Sequence, residues 1–229
     1  MDLDQFAFNL PEALIAQEPA AARDGSRMLV MHRETGELEV RTFTDLPKYF
    51  GEGDLFVVND SRVFPARLIG RKETGALIEL LLLTKRDGFL PGEFWEVLLR
   101  PAKRLETGST IILDDGCRAN VVERLTEKKW LLEFIADIPF DDFLSRHGRA
   151  PLPPYIKRQR GLPRSDHDLE RYQTVYARVK GSVAAPTAGL HFTSQVLDRL
   201  RSRSVGITAV TLHVGYGTFL PIETERVED

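Results

Sequence analysis

The sequence predicts an α/β fold, a mixed-sheet α/β domain carrying a small inserted antiparallel β-barrel. Three observations predict it. Six short strand-like runs lie between residues 63 and 135 with turns and no helical pattern between them. The run DLFVVN at 54–59 is short and nearly all apolar, as in a strand buried on both faces of an α/β layer. Residues 182–214 then read as strand, loop, helix, strand, a unit whose short crossover makes its strands parallel.

Taken in order, Ser26 to Thr42 alternates apolar and polar residues around Glu34, Thr35 and Gly36, the pattern of a two-stranded hairpin. Thr44 offers an N-cap for a short helix that Gly51 and Gly53 end. The barrel strands are expected at 63–70, 76–84, 93–100, 109–113, 117–125 and 129–135, with Gly75, Asp87-Gly88, Glu106-Thr107-Gly108 and Asp115-Gly116 marking turns. Helical signals return at Phe140 to His147, behind Pro139. The barrel domain is therefore expected at 62–145, and the α/β domain at 1–61 plus 146–229.

Residues 149–166, RAPLPPYIKRQRGLPRSD, contain four prolines and read as an extended basic loop. Tyr172 and Tyr176 are spaced to share one helix face as core, though aromatics beside arginine also suit unstacked RNA bases. Thr193 is the expected cap of a helix whose Val196, Leu197 and Leu200 face inward, Gly206 its end, and Ile207 to Val214 the next strand.

At 229 residues and 42% hydrophobic, the chain can bury a sizeable core without a disulfide or metal staple. The single cysteine, Cys117, has no partner within the chain, and the histidines lack zinc-site spacing, which points to a reducing compartment and no metal. No apolar run approaches the ~18 residues of a membrane span, and MDLDQFAFNL carries acids where a signal peptide is positive. A cytoplasmic monomer with no membrane partner is expected. The net charge of −3 argues against a protein that coats nucleic acid with its whole surface. Yet eight basic residues face only three acids between Arg146 and Arg178, a local surplus suited to an anionic partner.

The chemistry is expected beyond the carboxyl ends of the parallel strands, where open α/β sheets bind ligands. Those ends carry Thr187, Gly189 and His191 on one loop and His213, Gly215, Gly217 and Thr218 on another. If the two strands are neighbours, both loops face one crevice. Asn59, Asp60, Ser61 and Arg62 follow the apolar run 54–59 and sit at a third such end. No GxGxxG, GxxxxGK[ST] or GxSxG pattern occurs, which disfavours dinucleotide enzymes, P-loop enzymes and elbow hydrolases.

The blocks VVNDSRVFPARL (57–68), PLPPYI (151–156), YQTVYA (172–177), VAAPTAGLHFT (183–193) and VTLHVGYGTFLPI (210–222) closely resemble the S-adenosylmethionine:tRNA ribosyltransferase-isomerase family of queuosine biosynthesis. In that family the chain continues with further site motifs, so this one is expected to lack part of the α/β domain. The resemblance implies a reaction on tRNA bearing 7-aminomethyl-7-deazaguanine at the wobble position. The ribosyl part of S-adenosylmethionine moves to the aminomethyl nitrogen and rearranges to an epoxycyclopentanediol, with adenine and methionine released. S-adenosylmethionine is then a substrate, and no prosthetic group or metal is implied. Proton removal beside the sulfonium and a neutral attacking amine call for bases near neutrality, for which His191 and His213 are the expected catalytic groups. The expected substrate contacts are Asn59, Arg62, Thr187, Gly189, Phe192, Gly215, Gly217, Thr218 and Phe219. The expected RNA contacts are Arg67, Tyr155, Lys157, Arg158, Arg160 and Arg164.

Two other classes fit part of the pattern. A noncatalytic RNA-binding module would use the basic segment and a barrel like those that bind oligonucleotides. An S-adenosylmethionine-dependent RNA methyltransferase would need a glycine-rich first strand-loop-helix, which is absent near the start.

Overall fold

The computed structural model describes residues 1–86, 92–103, 105–159 and 163–220, with Thr224, Arg226 and Glu228. Strands β1 (Arg27–Met31) and β2 (Leu38–Thr42) form the expected antiparallel hairpin. Its turn needs Gly36, whose φ of +72° is a left-handed conformation that costs a side chain-bearing residue. The short helix that follows is a 3-10 helix, Phe43–Tyr49, capped at Thr42 rather than Thr44 and ended at Phe50 before either glycine. Pro47 lies inside it and has no N–H to give an α-helical ladder.

The chain then runs through β3 (Leu55–Asn59), β4 (Ser61–Val63), β5 (Arg67–Lys72), β6 (Leu77–Lys85), β7 (Glu93–Arg100), β8 (Thr110–Ile112), β9 (Arg118–Arg124) and β10 (Lys129–Ile135). The last six close into an antiparallel barrel in the order β10-β7-β6-β5-β8-β9. Each lies within a few residues of expectation. The run 63–70 is two strands instead of one, because Pro65 cannot donate to a ladder and the chain turns there from β4 into the barrel.

Alternation along these strands points Leu68, Ile78, Leu80, Leu82, Val97, Ile111, Val121 and Leu132 into one core. Cys117 is buried there as well, and burial pushes its thiol up to about 12, so it is a packing residue. Leu132 has no exposed surface. Leu132→Ala should therefore cost about 2–5 kcal/mol of stability, read as a lower urea midpoint at unchanged slope.

Helix α1 (Phe140–His147) starts directly after Pro139 and lays Phe140, Phe143 and Leu144 against the barrel core. Gly148 ends it where a Cβ would run into the Pro65 carbonyl. Two helices and two strands follow: α2 (Asp166–Arg171), β11 (Val179–Ser182), α3 (Ser194–Ser202) and β12 (Gly206–Val210). Thr193 caps α3 as expected, its hydroxyl accepting the Val196 N–H at 3.2 Å. Gly206 does not end that helix; Ser204, at φ +62°, takes the left-handed position and Gly206 opens β12.

Tyr172 and Tyr176 are core as expected, but not on a helix, since α2 stops at Arg171. Tyr172 packs with Val63, Ala150 and Ala185, and Tyr176 against Phe192.

The parallel pairs are β12 with β3 and β11 with β4, so parallel and antiparallel pairing coexist. Strands β11 and β12 are not paired with each other; each finds its partner in the segment 55–63. Nor is β3 buried on both faces. Phe56 and Val58 pack inward while Leu55 and Val57 are 61% and 58% exposed, because none of the described residues covers the outer face of this two-stranded sheet.

Candidate functional site

Asp60 sits between β3 and β4, the point where the two parallel pairs meet. Its side chain is 5% exposed; Oδ1 accepts the Thr211 hydroxyl at 2.6 Å, and Oδ2 accepts Arg178 Nη2 at 2.8 Å. The Thr211 hydroxyl first, and then Arg178, hold this carboxyl below the usual aspartate range. Its neighbours grip the same loop. Asn59 accepts the Leu212 N–H and donates to the Leu212 carbonyl, and Ser182 Oγ accepts the Val214 N–H at 2.9 Å. Residues 211, 212 and 214 are thus tied to β3 and β11, with His213 held among them.

His213 lies over Gly181. A Cβ built on Gly181 would come 2.6 Å from the imidazole Cε1, so only glycine admits the ring in this position. His213 and Gly215 line one wall of a cavity of about 510 Å³. The opposite wall belongs to the barrel, from Thr84 and Lys85 at the end of β6 and Glu93 and Trp95 at the start of β7. Trp95 packs against Phe64 and Phe140, and its indole N–H donates to Glu93 at 2.7 Å. Glu93 also pairs with Lys85 at 3.0 Å. An aromatic face, a bound carboxylate, an ammonium and an imidazole around such a volume are what a small polar ligand with a ring requires.

His191 is elsewhere. It ends the 3-10 turn Thr187–His191 and its ring lies 5.4 Å from that of Phe43. The single crevice expected from neighbouring strands does not form, because β11 and β12 are separated by their partners.

The other expected contacts divide. Phe192 is 7% exposed and fills the core between Phe43, Phe56 and Tyr176 rather than meeting a ligand. Gly189 is buried against Thr174 and Tyr176. Thr187 is exposed at the start of its turn, and Gly217, Thr218 and Phe219 lie in the turn Tyr216–Phe219. Tyr216 and Phe219 line another groove with Arg67 and Leu152, and neither is among the residues lining the His213 cavity.

Most of the expected RNA contacts are engaged within the chain. Arg67 donates to the Leu152 carbonyl at 2.7 Å and fixes the proline-rich loop to the barrel. Arg158 makes a bidentate pair with Asp168, both bonds 3.0 Å, and also holds the Gln17 carbonyl. Arg164 pairs with Asp166 and donates to the Ser145 carbonyl. Lys157 pairs with the highly exposed Glu12, and Tyr155 is half exposed. Arg160 lies outside the described residues.

A family model described as "Queuosine biosynthesis protein" matches residues 3–229. The chain belongs to this queuosine biosynthesis family. A relative from Syntrophus aciditrophicus named S-adenosylmethionine:tRNA ribosyltransferase-isomerase is 51% identical, the match covering 100% of this chain and 68% of the relative. One of the same name from Desulfitobacterium hafniense is 49% identical, with coverage of 100% and 65%. The chain spans about two thirds of the length of the curated relatives it matches. A crystal structure of S-adenosylmethionine tRNA ribosyltransferase from Thermotoga maritima is 30% identical, covers 93% of this chain and 59% of that one, and superimposes with a TM-score of 0.37.

Sequence patterning alone does not single out Trp95, Glu93 and Lys85 as members of the site. Trp95 sits on β7 among Val97 and Leu99, so its position reads as barrel core. Only its place near the start of β7, on the rim, sets it apart.

Proposed function

We propose that the chain is the donor-binding part of an S-adenosylmethionine:tRNA ribosyltransferase-isomerase, built as an α/β part (1–61 with 146–229) around the barrel part 62–145. Its substrates are S-adenosylmethionine and tRNA bearing 7-aminomethyl-7-deazaguanine, and it acts as a cytoplasmic monomer. Family membership supports the reaction, and the cavity shared by His213 and the barrel rim supports the place.

In this reading Trp95 offers a face to a purine, while Glu93 and Lys85 meet the polar parts of the donor. His213 takes the proton from the ribose carbon beside the sulfonium, an imidazole being the side chain whose ordinary titration lies nearest neutrality. The aminomethyl nitrogen bonds to the ribosyl unit, the glycosidic bond breaks to release adenine, and the carbon–sulfur bond breaks to release methionine. Closure of the cavity by the RNA would strengthen each polar contact by excluding water.

Products test this reading. With full-length protein, tRNA carrying the aminomethyl base and S-adenosylmethionine, free adenine and methionine should form in equal amounts. S-adenosylhomocysteine would instead mark a methyltransferase, and no turnover with tight RNA binding would mark a noncatalytic module.

A further inference from the structure

Strands β4 and β11 carry a row of cations that the sequence did not group. Lys180 stands opposite Arg62 in the parallel register, and Arg178 lies two residues before Lys180, just ahead of β11. Arg62 and Lys180 are exposed, and the Arg178 side chain is 76% exposed. Like charges directly opposite one another destabilise a strand pair. A bridging anion removes that cost.

These residues line a groove of about 750 Å³ together with Arg23 and Arg164. Arg23 is held by the backbone carbonyls of Glu170, Arg171, Gln173 and Leu190. Among the described residues the Arg62 guanidinium meets no carboxylate. The acids that face the group are Glu170 on the wall, Asp60 beneath Arg178, Asp141 paired with Lys180 at 2.5 Å, and Asp166 paired with Arg164. Asp141 and Asp166 are 77% and 86% exposed, so those pairs exchange readily for another anion. Thr174 lines the same groove, with a buried Oγ1 that lacks a partner among the described residues.

Phe64 and Lys180 line both this groove and the His213 cavity, so the two adjoin at Lys180. We infer that the groove holds the phosphodiester backbone of the RNA substrate, with Arg62 and Lys180 as its principal contacts, and leads the strand to the cavity. The inference rests on the tRNA reading above. It moves the RNA path from the proline-rich loop, where Arg158 is already committed to Asp168 and the Gln17 carbonyl, to the β4/β11 face.

The test is anisotropy of a labelled tRNA anticodon stem-loop on the full-length protein over a range of salt concentrations. Each single-strand phosphate neutralised by a cation adds about 0.7 to the magnitude of the log K against log salt slope, so Arg62→Gln with Lys180→Gln should lower it by about 1.4. Lys157→Gln in the loop should leave it unchanged. Arg62→Lys with Lys180→Arg should restore it, and S-adenosylmethionine affinity by calorimetry should stay within twofold in Arg62→Gln alone, since Arg62 does not line the His213 cavity. An unchanged slope in the double Gln variant, with wild type binding the RNA, would overturn the inference and leave the function standing. A slope that falls with Lys157→Gln alone would return the path to the loop. Loss of S-adenosylmethionine affinity in Arg62→Gln alone would make the groove a donor carboxylate site instead. A wild-type protein that binds no RNA would remove the tRNA reading itself.

Discussion

Replacing His213 by alanine should slow adenine release in a single turnover about 10²- to 10⁴-fold, as for loss of a general base, with RNA affinity unchanged. His191→Ala should slow the same step less than about tenfold, since its ring packs on Phe43 outside the cavity. Gly181→Ala provides an independent probe, because the added methyl must displace the imidazole it would meet at 2.6 Å. It should reproduce much of the His213→Ala loss while leaving His213 in the chain. Misplacement of a catalytic group by about 1 Å is enough for a 10²-fold effect. Unaltered adenine release in His213→Ala would remove His213 from the mechanism. Equal losses in His191→Ala and His213→Ala would mean that the two loops act together after all.

The barrel was legible because each of its strands is short, alternating and bounded by turn residues, and such local patterns survive without knowledge of partners. Helix α3 was legible for a similar reason, with Thr193 and the spacing of Val196, Leu197 and Leu200 all pointing the same way. Strand pairing was not. The run 182–214 names two parallel strands but cannot say that β3 and β4 stand as partners to each of them, since pairing depends on residues more than a hundred positions away. That single gap put His191 and His213 in one crevice. It also hid the barrel wall of the cavity, because Trp95 and Glu93 become neighbours of His213 only through tertiary packing. Charge composition, in turn, marks the loop 149–166 as basic but does not show that Arg158 already meets Asp168, or that Arg62 meets no carboxylate among the described residues.

Asp60→Ala should lower kcat for adenine release about 10²-fold, although Asp60 does not line the cavity. It acts as a positioning residue. Its carboxylate holds Thr211, two residues before His213, and anchors Arg178 just ahead of β11, whose Gly181 lies beneath the ring. Asp60→Asn keeps an acceptor for Thr211 but loses the charge that Arg178 meets, and should fall between wild type and Asp60→Ala. A purely structural role would lower the amount of folded protein without separating kcat from KM, so a double-mutant cycle decides. In a His213→Ala background the Asp60→Ala effect on the chemical step should nearly vanish. Full additivity would show that Asp60 does not act through His213. Stability gives a second, pH-dependent readout. The folded carboxyl titrates below the ordinary aspartate value of about 3.9, so its contribution is present above that value and is lost as pH falls through the lower folded one. The urea midpoint of wild type should therefore exceed that of Asp60→Asn by a constant amount from neutrality down to about pH 5, and the two should converge on further acidification. A gap that instead stayed constant into strong acid would show that the charge on Asp60 contributes nothing to holding the His213 loop.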